Sequence, residues 1–208
     1  MSNRNDPGEQ LAWLEGKLTQ MEAAGETAIL IGHHPPASEA GLYEWGTRFR
    51  ILMDRFQHIV RLSFFGHVHT EEHNAIKAWT SNKSVGMNIW SGAMTTYSDA
   101  YPSFRRFTLD EQTMLPIAIE TYRIDVLAEN PEFVLDHELS TYYGMKDLSP
   151  ASFDTLSGVF ANDEQMAVKY MKTKSQNGPK GITSCDDACR LEVYCDTQSS
   201  TYTDSRVC

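Results

Sequence analysis

Phe64-Phe65-Gly66-His67-Val68-His69 closes a strand-like run that begins at Val60. Two imidazoles follow the strand two residues apart. In an extended segment they project to the same side; if the chain bends just after the strand, they reach two neighbouring ions instead. Neutral imidazole is a common ligand for zinc and other borderline metals, and its second nitrogen can be oriented by a carbonyl or carboxylate. Glycine before the histidine lets the backbone approach the site with no side chain in the way. Alone, a His-x-His pair fits ordinary surface or core histidines as well as it fits ligands.

A second copy of the pattern lies upstream. Thr27 to Ile31 is a continuous apolar run ending in Gly32, the pattern of a strand buried on both faces, and His33-His34-Pro35-Pro36 then turns the chain out of the sheet. A helix precedes each strand. The first is expected from Asp6 as N-cap with Pro7 at the first helical position and Glu9 closing a capping box, through Leu11, Leu14, Leu18 and Met21 to a stop at Gly25. The second runs from Tyr43 to Ile59 with Phe49, Leu52, Met53 and Phe56 on one face. Repetition of helix, strand and Gly-His implies an α/β layered sheet, in which ligands gather beyond the carboxyl ends of the strands. Three of the seven histidines (His33, His67 and His69) then share one sheet edge. Further strands are expected at Val85 to Gly92, Phe104 to Leu109 and Pro116 to Ile124. Beyond about Glu132 the pattern is helical, with a cap at Asn162-Asp163-Glu164-Gln165 and a stop at Asn177-Gly178-Pro179. This divides the chain into residues 1–131, a sheet-bearing unit, and residues 132–208, a helical subdomain.

The formal charge of -10 and the lack of any Lys/Arg cluster exclude a nucleic-acid polymer as partner, and a phosphate-bearing substrate would need a metal to meet its charge. No run of eighteen apolar residues exists to span a membrane, and no signal peptide stands at Met1. Yet all four cysteines, Cys185, Cys189, Cys195 and Cys208, crowd into the last twenty-four residues, which suggests disulfides and an oxidising compartment. Of their three possible connectivities the spacing selects none. Asn82-Lys83-Ser84 is a glycosylation sequon of a kind common by chance. An export-type tail beside a start with no export signal gives the expectation that a preceding segment is missing.

Gly-His-x-Pro-Pro, a helix of about twenty residues, and Phe-Phe-Gly-His-x-His together resemble the last two metal motifs of the calcineurin-like metallophosphoesterases, in particular acid sphingomyelinase and its relatives. Asp6-Pro7 through Trp13-Leu14, Thr95-Thr96-Tyr97 with Pro102, and Val134-Leu135-Asp136-His137-Glu138 support the narrower match. The resemblance runs from about residue 6 to the end and weakens between Pro116 and Glu132, where this chain carries extra residues. It implies a metallophosphoesterase-type layered sheet, of which this is the C-terminal half, with a helical, disulfide-bonded C-terminal subdomain. It further implies Cys185 paired with Cys189 and Cys195 with Cys208. Two zinc ions would stand at the sheet edge, His33 and His67 on one and His69 on the other. Paired cations clamp phosphate oxygens and activate water for in-line attack on phosphorus. His34, where the family usually carries an apolar residue, would support the ligands from behind or line the substrate pocket, and Thr95, Thr96 and Tyr97 would border that pocket or serve packing. The implied substrate is a phosphodiester, above all sphingomyelin at a membrane surface, cleaved to ceramide and phosphocholine. The implied location is secreted or lysosomal.

The departure from the family is equally definite. Its Asp-x-His, Gly-Asp and Gly-Asn-His motifs, which supply the bridging aspartate and the proton-donating histidine, belong to an N-terminal half; this chain has no Gly-Asp and no Asn-His dipeptide. Two cations with nothing negative between them repel, so the chain alone is expected to be a poor enzyme or none. Three readings follow: the C-terminal portion of a zinc phosphodiesterase, a non-catalytic fragment that binds metal or lipid weakly, and an unrelated α/β domain. His58 and His137 are expected to be structural, and Glu71-Glu72-His73 a solvated loop in preference to a support behind the metal ligands. Without its other half the chain should expose a sheet edge and apolar surface, and aggregate.

Overall fold

The computed structural model describes residues 6–37, 43–178, 182–201, 204 and 208. A 3-10 turn at Pro7–Glu9 leads into α1 (Gln10–Ala24). The expected capping box is not formed, because that turn intervenes and Glu9 is left-handed (φ 57°). Asp6 serves the helix from further back: its carboxylate oxygens accept from Leu11 N at 2.9 Å and Ala12 N at 3.0 Å, satisfying donors that a first turn leaves open. Gly25, with φ 70°, ends α1 as expected.

The first sheet contains β1 (Ala28–Ile31), β2 (Val60–Phe65), β3 (Glu72–Lys77) and β4 (Ser84–Trp90) in the order β1-β2-β4-β3, with β1, β2 and β4 parallel and β3 antiparallel to β4. Between β1 and β2 lies α2 (Tyr43–Arg55). One face of the sheet packs on α1 and α2 through Leu18, Phe49, Met53 and Phe56 against Phe65, Ile76 and Trp90. The second sheet is an antiparallel meander of β5 (Ser103–Leu109), β6 (Pro116–Ile124) and β7 (Phe133–Glu138). The division anticipated at 131/132 falls in the connection between β6 and β7.

Among the described residues four helices follow: α3 (Leu139–Tyr143), α4 (Pro150–Asn162), α5 (Glu164–Lys174) and α6 (Asp187–Gln198). Ser149, Asp163 and Asp186 cap the last three with their side chains, and Asp163 lies within the cap signature Asn162-Asp163-Glu164-Gln165. Pro179, expected just past α5, lies outside the described residues. The helices bury Phe153, Phe160 and Tyr170 against Leu62, Met87 and Ile89 of the first sheet and Ile119 of the second. Both implied disulfides are present, with Cα atoms 5.2 Å apart for Cys185–Cys189 and 5.7 Å for Cys195–Cys208.

Further expectations are corrected. The chain beyond Glu132 is not helical from its start, because Phe133–Glu138 pairs with β6 as β7. Glu71-Glu72-His73 is no solvated loop: Glu71 and His73 are buried, because β3 pairs with β4 and α4 and α6 pack over it. Nor is β1 buried on both faces. Ala28 meets the first core, but Ile29 is 36% and Ile31 84% exposed, since the helical layer reaches β2 and β4 and includes no β1 residue. Among the described residues β1 pairs only with β2, so it is a sheet edge with apolar side chains on view. Such an edge templates association. Ile31→Lys should therefore raise the soluble, monomeric fraction on size-exclusion chromatography while changing stability by no more than about 0.5 kcal/mol; an unaltered elution profile would assign aggregation to another surface.

Candidate metal centre

Parallel pairing of β1 and β2 continues past both strand ends. Gly32 N donates to Phe64 O at 2.9 Å, and Gly66 N donates to His33 O at 3.0 Å. This brings His33 and His67 level at the carboxyl edge of the sheet. The two glycines differ in role: a Cβ on Gly32 would lie 2.7 Å from the Phe65 ring, whereas one on Gly66 would meet nothing nearer than His33 Nδ1 at 3.7 Å. Only the first is required by close packing.

The His-x-His segment is not extended. His67 (φ 71°) and His69 (φ 61°) are both left-handed, a conformation uncommon outside glycine, so the two rings diverge. His67 Nδ1 lies 3.2 Å from His33 Nε2, and its ring centroid is 3.6 Å from that of His34. His69 instead meets Tyr97 edge to face, with centroids 5.9 Å apart. The structure thus joins His33, His34 and His67 in one cluster and sets His69 and Tyr97 beside each other. Tyr97 begins a 3-10 turn, Tyr97–Asp99; Thr95 Oγ1 accepts from Tyr97 N at 3.3 Å, a bond that shapes the turn. Asn82 is exposed in the β3–β4 connection.

Desolvation, followed by the nearby His34, His33 and His69, lowers the His67 pKa from its ordinary value. The favoured ring is neutral, the form that donates a lone pair to a cation. Two converging imidazole nitrogens with a third imidazole on the same loop suit half of a metal site. No carboxylate completes it: among the described residues no group of three or more His, Cys, Asp or Glu side chains is placed to hold an ion. An open groove of about 910 Å³ runs from the cluster along the exposed edge, lined in part by Trp13, Ile29, Ile31, His33, His34 and Phe65.

Behind the loop lies an ion network whose partners the sequence pattern did not identify. Glu71 pairs with Arg105, and His137 Nε2 is 2.9 Å from Glu71 Oε1. Thr121 Oγ1 donates to Glu71 Oε2 at 3.0 Å, and Arg105 Nη1 donates to Trp90 O at 3.1 Å. Burial would raise the Glu71 carboxyl, but Arg105 and His137 outweigh it and hold it at about 2. Burial would lower His137, but Asp136 and Glu71 carry it up to about 9. His137 is thereby structural, as expected, and His58 sits 2.7 Å from Glu22 at the surface. The hint at the network was Asp136-His137-Glu138; nothing local marked Glu71 or Arg105 as its partners.

No family model matches the chain. It is similar to sphingomyelin phosphodiesterase B of Dictyostelium discoideum, 26% identical over 215 residues, covering 96% of this chain and 33% of that protein. It is similar also to sphingomyelin phosphodiesterase 2 of Caenorhabditis elegans, 26% identical with coverage of 99% and 35%. Human acid sphingomyelinase-like phosphodiesterase 3b is 26% identical, with coverage of 91% and 46%. The chain spans about a third of the length of the first two of these. Over nearly its whole length, this chain is similar to acid sphingomyelinase-like sphingomyelin phosphodiesterases.

Proposed function

We propose that this chain is the histidine-bearing portion of a metal-dependent phosphodiesterase that hydrolyses sphingomyelin. The observation that carries the reading is the convergence of His33 and His67 at the ends of adjacent parallel strands, in a chain whose relatives are named sphingomyelin phosphodiesterases. His33 and His67 would hold one zinc ion and His69, turned away, a second. The ions would supply charge neutralisation at the phosphate and an acidified water. His67, kept neutral, would present its lone pair; His34 lies against His67 and Tyr97 against His69, and with Thr95 and Thr96 they would border the substrate. Tyr97 and Met94, both largely exposed, suit the apolar part of a sphingolipid held at a membrane surface. Two disulfides support an oxidising compartment, and with it a secreted or lysosomal location. Among the described residues no helix is long and apolar enough to cross a membrane.

The carboxylates that a dinuclear site requires would come from a segment outside these 208 residues, adding to the β1 edge and filling the groove beside it. The chain joined to an in-frame upstream segment carrying Asp-x-His and Gly-Asn-His is expected to cleave sphingomyelin in the presence of zinc, in preference to a nucleotide diester. The 208-residue chain alone should show no turnover. Turnover by the chain alone would overturn the division of ligands, and an inactive joined protein would overturn the assigned reaction.

A second reading, a non-catalytic fragment that binds metal or lipid weakly, rests on the lack of an acidic ligand among the described residues. Zinc titration separates it from the bland case of incidental histidines. His67→Ala should weaken zinc binding by at least about tenfold, as loss of a ligand does; identical isotherms for wild type and His67→Ala would remove the histidines from any metal site.

A further inference from the structure

The turn that ends α5 enters the space behind the His69 loop. Gln176 and Asn177 are left-handed there (φ 54° and 53°), and Gln176 is 2% exposed. Gln176 Nε2 donates to the carbonyl oxygen of His69 at 2.8 Å, while its Oε1 is buried with no hydrogen-bond partner. Two glycines make room for the turn. A Cβ on Gly92, just past β4, would lie 2.0 Å from Gln176 Nε2 and 2.4 Å from its Cδ, and a Cβ on Gly178 would lie 2.1 Å from Asp99 O. Flanking bonds hold the turn in place: Glu71 N donates to Lys174 O at 3.1 Å, and Asn177 Nδ2 donates to Asp136 Oδ2 at 2.8 Å.

A left-handed histidine persists only where its surroundings over-determine it. The surroundings of His69 include an amide donor on its own carbonyl, delivered by the helical layer more than a hundred residues away. We infer that Gln176 is a positioning residue for His69, fixing the backbone conformation that turns this imidazole away from the His33–His67 pair. The inference rests on the proposed role of His69 as a ligand to a second ion. Met is the informative replacement, since it keeps the length and volume of Gln and removes only the donor, along with the oxygen that has no partner.

The test uses the whole 208-residue chain, with zinc as the probe and backbone amide hydrogen exchange as a metal-free readout. Gln176→Met should melt with wild type, weaken zinc binding about tenfold in the manner of a lost outer partner, and speed exchange at Thr70 and Glu71 but not within α4. If Gln176 acts through His69, the double variant His69→Ala/Gln176→Met should bind zinc no more weakly than His69→Ala alone. Losses that multiply in the double variant, or wild-type affinity and exchange in Gln176→Met, would overturn the inference. Absence of zinc binding by wild type would sink the proposed metal role of the loop; the exchange readout would then still decide whether Gln176 holds His69, unchanged rates counting against it.

Discussion

Glu71→Ala should cost the fold roughly 3–5 kcal/mol, the usual result of removing one partner from a buried ion group. The side chains of Glu71, Arg105 and His137 are each no more than 3% exposed, so the substitution leaves Arg105 in a desolvated space without its carboxylate and His137 with Asp136 alone. For a domain of this size the melting temperature should fall by about 10 °C. The measurement is best made in the Ile31→Lys background, where the exposed edge no longer drives association. Replacing all three members with apolar residues of similar volume should recover most of the loss, because apolar packing often substitutes for a buried ion group without penalty. A Glu71→Ala chain that unfolds with wild type would show that water reaches the network.

The network links structural layers as well as charges. Glu71 lies two residues beyond His69, Arg105 is on β5, Thr121 on β6 and His137 on β7, so one carboxylate ties the second sheet to the histidine loop. Loss of Glu71 should loosen that loop together with the sheet packing, whereas loss of the Gln176 amide should loosen the loop alone. The pair of variants therefore separates global from local support of the same histidine.

What the sequence made legible and what it hid divide along the range of the interactions. β2 and β6 begin and end where their composition and flanking residues predicted, and α5 starts within the cap signature Asn162-Asp163-Glu164-Gln165, because caps and periodicity are local properties. The burial of β1 was misjudged since four apolar residues in a row describe what a strand can bury, and whether a layer covers it depends on residues elsewhere. β3 was missed because Glu-His-Asn-Ala-Ile-Lys has too many polar groups for a buried strand. It is accommodated by partners far along the chain: Asn74 Nδ2 donates to Ser199 O at 2.6 Å, and Lys77 Nζ meets Asp154 at 2.5 Å. At the site, the positions of His33 and His67 followed from two strand ends, but the divergence of His69 required a left-handed backbone that only Gln176 and its neighbours explain.

The buried face of β3 also sets how the protein should respond to acid. His73 is 4% exposed, with its ring edge-on to Phe153 at 4.9 Å and to Tyr170 at 5.5 Å, and its Nε2 has no hydrogen-bond partner. Burial first, and the Arg105 charge second, push its pKa down to about 3, with Glu71 opposing. In the unfolded chain an ordinary histidine takes up its proton near 6.5, so the contribution of His73 to stability is whole above that pH and is lost as pH falls from about 6.5 toward 3. The slope is about 1.4 kcal/mol per pH unit, or about 3 kcal/mol by pH 4.5. Neither Glu71 nor His137 of the ion network interferes in that window. His137, raised to about 9, contributes fully below 6.5 and loses its effect only as pH rises through 9. Glu71, held at about 2, contributes fully above 4.5 and loses its effect below it. Asp196, raised by burial against the pull of Lys174, slopes the opposite way, so the comparison must be between wild type and a variant. His73→Phe, which suits the surrounding rings and has no nitrogen to protonate, should lose about 3 kcal/mol less than wild type between pH 6.5 and 4.5 in urea unfolding. Parallel stability curves for the two proteins would mean that His73 is protonated in the folded state, with a polar partner or water at Nε2.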